Sequence, residues 1–166
     1  MNETQTGDGT SVTAEPRSTR RLQYVAAGLA YMVAIVHLFH PTLGTPALVA
    51  YAAAGTPLID PRPVAFVLSS VAIIVGANLI LLGSPRKPIY ALGMILMLVY
   101  IGGYFGWHAL GHGAWWGGLE HGWYGHSIAE ILLGPAHVRD DRIALLSKLA
   151  ELALFCVLAL LYRREP

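Results

Sequence analysis

VAFVLSSVAIIVGANLILL, residues Val64 to Leu82, contains no charged side chain and lies between Pro63 and Pro85. An apolar run of this kind can cross a hydrocarbon core of about 30 Å as a helix rising about 1.5 Å per residue. Three further runs meet the same test: Leu22 to Phe39, Ile89 to Leu110 and Ile143 to Tyr162. By that rise the Leu22 run covers roughly 27 Å and the Ile89 run roughly 33 Å, so each spans with little mismatch or a modest tilt. A lipid-exposed backbone must satisfy its own hydrogen bonds, so all four are predicted helices. Pro41, Pro63, Pro85 and Pro88 fall between the runs, where a missing N–H is cheapest. The expected fold is all-α: a polytopic membrane protein with four transmembrane helices bundled over residues 22–162.

Composition agrees. Hydrophobic residues make up 55% of the 166-residue chain and charged residues 13%, against about 25% charged in an ordinary soluble domain. The formal net charge is +1 and the arginines sit at segment ends, which argues against nucleic acid as a partner; the lipid bilayer is the partner the composition implies. Cys156 is the one cysteine, so no intrachain disulfide or cysteine-based zinc site can form, and packing is its simplest role.

Lysine and arginine in the flanks set an expected orientation. Arg17, Arg20, Arg21, Arg86, Lys87, Arg163 and Arg164 fall on one side, and Arg62, Arg139 and Arg142 on the other. Both termini and the Arg86 turn are therefore expected in the cytoplasm of a multi-pass cell-membrane protein, with loops 40–62 and 111–142 outside. Residues 1–21, led by the polar MNETQTGDGTSVTAEP, are expected to form a disordered cytoplasmic tail, and residues 163–166 a short cytoplasmic end. Thr19-Arg20-Arg21-Leu22 has a superficial likeness to a twin-arginine export signal, but the span after it is long enough to stay as an anchor.

Potential chemistry concentrates in YFGWHALGHGAWWGGLEHGWYGH, Tyr104 to His126, which holds four of the seven histidines and all four tryptophans. With the helix directions fixed, His37 and His40 at the end of the first span reach the same outer depth as His108 and His112 at the end of the third. His108 and His112 share a face if the helix continues that far, and His37 and His40 share one up to Pro41. Imidazoles from two helices can ligate haem b axially, and two or three imidazoles with a carboxylate can hold a transition metal. His121, His126, Glu120 and Glu130 are secondary candidates, as ligands or as groups that orient them. The alternative is that these histidines are interfacial polar residues bonded to headgroups, loop carbonyls or water. The run WYGHSIAEILL, Trp123 to Leu133, ends at Gly134-Pro135 and is expected to be a short interfacial helix, with a re-entrant loop as the other possibility.

Glu151 lies about 12 Å into the last span, where a charge facing lipid costs about 3 kcal/mol or more. It should face the bundle or a water-filled cavity, with Lys148 three residues away as a pairing partner; the alternative is a proton or substrate role in a small transporter or channel. Asn78, deep in the second span, is expected to hydrogen-bond between helices, as are Ser69, Ser70 and Tyr100. Ala26, Ala30 and Ala34 form a small-residue stripe and Gly102 with Gly106 a GxxxG pair, either of which lets helices approach within the chain or between copies. Met94 and Met97 are read as apolar packing.

The Thr/Glu-containing tail, the AIVHL of Ala34 to Leu38, the short basic middle turn and the closing SKLAELALFCVLALLYRRE of Ser147 to Glu165 resemble small four-helix membrane proteins of halophilic archaea. That resemblance implies architecture and habitat and no catalytic residues, and the long His/Trp-rich loop departs from it. The resulting expectation is an accessory or structural membrane component, within a homo-oligomer or larger complex, with a metal or haem site at the outer face. A proton-linked transporter or channel using Glu151 is the alternative, and no residue set points to an enzyme.

Overall fold

A computed structural model describes residues 17–109 and 142–165. The described residues form helices α1 (Arg17–Leu38), α2 (Thr45–Ala53), α3 (Arg62–Leu81), α4 (Arg86–Ala109) and α5 (Arg142–Arg164). All but α2 are long and apolar enough to cross a membrane, and no strand occurs among the described residues. The chain is a multi-pass, all-helical membrane protein. The expected interfacial helix, Trp123 to Leu133, lies outside the described residues.

Side-chain periodicity explains which helices hold the centre. On α1 the buried residues are Thr19, Gln23, Ala26, Ala30, Val33, Ala34 and His37, one face at steps of three and four residues along the whole helix. On α5 the corresponding face is Ser147, Ala150, Glu151, Leu154, Leu158 and Leu161. These two faces meet, with α3 packed beside α1 and α4 beside α5, while α3 and α4 touch each other little. On α3 only Pro63, Ser70 and Ala77 are buried, a single line at seven-residue spacing. In lipid this is sufficient, because Leu68, Val71, Val75 and Leu79 can face acyl chains without cost.

Several expectations are corrected. Residues 17–21 are the first turn of α1 and not part of a disordered tail; Thr19 is buried there while Arg17, Arg20 and Arg21 reach outward, and arginine is itself a good helix former. Loop 40–62 contains α2, which starts after Gly44 with Pro46 in its first turn. It closes in a Schellman turn, with Gly55 at φ +73° and the Thr56 N–H donating to the Tyr51 carbonyl at 2.9 Å. Gly83, at φ +86°, ends α3 the same way, with the Ser84 N–H on the Leu79 carbonyl at 3.0 Å.

Asn78 is exposed on α3, and its amide donates to the Ile74 carbonyl of its own helix at 2.7 Å, so it does not join two helices. The polar head returns to its own backbone because α3 turns that side away from its neighbours. Among the described residues the Gly102–Gly106 pair has open space where a Cβ would stand and mediates no close approach. Cys156 is exposed, whereas the alanine stripe on α1 and Met97 are buried as packing residues.

Candidate functional site

One end of the bundle, where α1 and α4 finish and α3 and α5 begin, holds a cavity of about 740 Å³ lined by aromatic and polar side chains. Chain geometry shapes its rim. After α1 the backbone folds back so tightly that a Cβ on Gly44 would stand 2.6 Å from the His37 carbonyl oxygen and 2.7 Å from the His40 nitrogen. That turn brings Tyr51 of α2 over the cavity. Across the rim, Arg62 stacks on Trp107, its guanidinium carbon 4.1 Å from the ring centroid. The same guanidinium binds Asp60 through Nε at 2.8 Å and Nη2 at 2.6 Å. This hydrogen-bonded pairing holds the Asp60 carboxyl below the ordinary carboxylate value.

The cavity floor is a charged cluster. Glu151 has no exposed surface, and Lys148 Nζ, one turn earlier on α5, donates to both of its carboxylate oxygens at 2.7 Å. Ser147 Oγ donates to Oε1 at 2.9 Å. From α1, His37 Nε2 approaches the same oxygen to 3.3 Å. The other ring nitrogen, Nδ1, is 2.8 Å from the Val33 carbonyl oxygen. A carbonyl can only accept, so Nδ1 carries hydrogen.

Aromatic rings and hydroxyls fix this arrangement. The His37 ring stacks on Tyr100 at 4.2 Å with 13° between the planes, and Phe66 of α3 tilts against it at 4.9 Å. The Tyr100 hydroxyl bonds Ser69 Oγ, joining α4 to α3. Lys148 also reaches the Tyr100 carbonyl at 3.4 Å and lies 5.2 Å from the Tyr104 ring centroid. Among the described residues no buried side-chain nitrogen or oxygen lacks a hydrogen-bond partner, as a stable buried polar network requires.

Proton bookkeeping gives this floor its chemistry. With Nδ1–H committed to Val33, a hydrogen bond across the 3.3 Å contact between Nε2 and Oε1 would need one further proton, carried by the ring or by the carboxylate. Without it, a nitrogen lone pair faces a carboxylate. His37, Ser147 and Lys148 line the cavity while Glu151 does not, so the cavity reaches the carboxylate through its partners.

His40 and His108 line the same cavity, with His108 Nδ1 2.9 Å from the Tyr104 carbonyl. Among the described residues, however, no three His, Cys, Asp or Glu side chains converge as a metal-holding group. His112, His121, His126, Glu120 and Glu130 lie outside the described residues. The sequence reading did not join His37 to Glu151, nor foresee Ser147 and Phe66 at the site. Four-residue spacing between Ser147 and Glu151 was an available signal for one of these. Comparison with family models, curated proteins and solved structures finds no match for the chain.

Proposed function

We propose that this chain is a small proton-linked membrane transporter, with Glu151 and His37 sharing the transported proton and the cavity admitting protons and a small hydrophilic solute. The observation that carries this reading is His37 placed between the Val33 carbonyl at 2.8 Å and the Glu151 carboxylate at 3.3 Å, two acceptors that a proton on each ring nitrogen would satisfy. Ionisable groups inside a membrane span are costly and belong to proton or ion pathways more often than to structure. Below the cluster the core among the described residues is apolar, with Met97, Leu154 and Leu158 buried, which supports a site reached from one side at a time, as alternating access requires.

The orientation is part of the proposal: cavity outside, both termini in the cytoplasm, supported by Arg17, Arg20, Arg21, Arg86, Lys87, Arg163 and Arg164 at the opposite end. So is the likeness to four-helix membrane proteins of halophilic archaea, which rests on the four long spans and the basic turn at Arg86 and Lys87.

The test is proton flux into proteoliposomes loaded with a pH-sensitive dye, driven by a potassium diffusion potential. Wild-type protein should carry protons faster than empty vesicles, and Glu151→Gln and His37→Gln should abolish the excess. Equal rates for wild type and Glu151→Gln, or for wild type and empty vesicles, would overturn it.

A second reading is favoured by His40 and His108 lining one cavity. With His37 engaged on Glu151, a metal or haem b would use those two histidines and ligands from 111–142. A Soret band, or stoichiometric metal, lost in His108→Ala would establish it.

A further inference from the structure

At the opposite, basic end of the bundle α3 and α4 stand apart, and an apolar cleft of about 300 Å³ opens between them. Its back wall is the alanine face of α1, Ala26 and Ala30, and its sides include Ala72 and Gly76 of α3 and Leu96 of α4. A void of this character in a fluid bilayer is filled by hydrocarbon. Two features make it more than a gap. The first is a polar pair in the lining, Gln23 and Tyr90, both buried, with the Gln23 amide 3.4 Å from the Tyr90 hydroxyl.

The second is charge. One helical turn outward from Gln23 on α1 stands Arg20, and one turn outward from Tyr90 on α4 stand Arg86 and Lys87, a step of about 5 Å along each axis. Arg17, Arg21, Arg163 and Arg164 complete the collar, and Glu165 is the one acid among the described residues at that end. Glu165 offsets one of these seven cations: Arg86 approaches its carboxylate to 4.0 Å, and Lys87 bonds its backbone carbonyl at 3.2 Å, which leaves the collar net positive among the described residues.

From this register we infer that the cleft is a binding site for one anionic phospholipid, independent of the transport reading. One acyl chain lies along Ala26, Ala30 and Gly76, an ester carbonyl reaches the depth of Gln23 and Tyr90, and the phosphate meets Arg20, Arg86 and Lys87. The succession apolar, hydrogen-bonding, cationic follows the order of groups along a phospholipid from tail to head.

Delipidated full-length protein in mild detergent, titrated with dioleoyl phosphatidylglycerol or dioleoyl phosphatidylcholine and followed by thermal melting and native mass spectrometry, tests the site. Phosphatidylglycerol should bind saturably, one molecule per chain, and more tightly than phosphatidylcholine. Combined Arg86→Ala and Lys87→Ala should weaken it on the order of tenfold or more. Gly76→Leu, whose Cβ would stand 3.4 Å from Ile89 Cγ2, should fill the cleft and abolish binding; Ala72→Phe on the same face is the second filling variant. Equal affinity for the two lipids overturns the inference. So does undiminished phosphatidylglycerol binding by a filling variant of native helical content, or a dimer that retains no lipid.

Discussion

The half of the bundle around Glu151 and the half around Tyr90 are built from the same four long helices, yet they close their interiors by different means. Around Glu151 the contacts are directional: a carboxylate bonded by Lys148 and Ser147 and approached by His37, with Tyr100 stacked on the imidazole and Phe66 tilted against it. Around Tyr90 the interior is mainly alanine, isoleucine and leucine with the single Gln23–Tyr90 polar pair, and a cleft stays open between α3 and α4. The difference shows what a small membrane bundle can bury. Hydrocarbon provides no hydrophobic drive between helices, so the apolar half can leave a gap for lipid. The polar half has no such option, because each unbonded group there costs free energy.

Breaking the polar half should therefore have the larger effects. Replacing Glu151 with Leu leaves Lys148 and His37 without their shared acceptor and should destabilise the protein by about 3 kcal/mol or more, read as a lower melting temperature in detergent. A pair of glycines sharpens the contrast. Gly44→Ala sets a methyl against backbone atoms at the cavity rim, which cannot move independently, and should cost about 1–3 kcal/mol. Gly93→Ala, in the apolar half, meets only the Leu158 Cδ1 end at 2.8 Å. A rotamer change relieves that contact, so its cost should fall below about 1 kcal/mol. Ser69→Ala removes the bridge to Tyr100 and should cost about 0.6 kcal/mol, as interhelical hydrogen bonds in membranes do.

The smallest effect should come from the rim ion pair. Asp60 has its folded-state pKa depressed by Arg62, so its stabilisation is present above the unfolded carboxylate value of about 3.9 and is lost as pH falls through the lower folded value. Asp60→Asn should lower the melting temperature slightly at neutral pH, where the pair is formed, and flatten the dependence of melting temperature on pH in that acid window.

The four spans were legible because length and apolarity alone decide them, and Val64 to Leu82 needed no other information. Local spacing also carried far: Lys148 and Glu151, three residues apart, are bonded. What sequence withheld was the rotation of each helix about its axis. Nothing local says that His37 faces Glu151 across 114 positions, or that Asn78 turns away from its neighbours. Helix α2 was missed for another reason. Its start at Thr45-Pro46 and its stop at Gly55 are present as signals, but its apolar residues form no distinct face that would set it apart from a loop. His37, His40 and His108 line one cavity, but depth could not tell that His37 faces a carboxylate.

The central claim, a proton shared between His37 and Glu151 and exchangeable through the cavity, is tested most directly by nitrogen-15 NMR of histidine-labelled protein in lipid nanodiscs across a pH titration. His37, assigned through His37→Gln, is expected to show a protonated Nδ1 on the Val33 carbonyl and an Nε2 that shares a proton with the Glu151 carboxylate. Glu151→Gln should change the His37 Nε2 signal while leaving the His108 signals unchanged. A His37 signal that stays in one neutral tautomer at every pH, with or without Glu151, would contradict the claim.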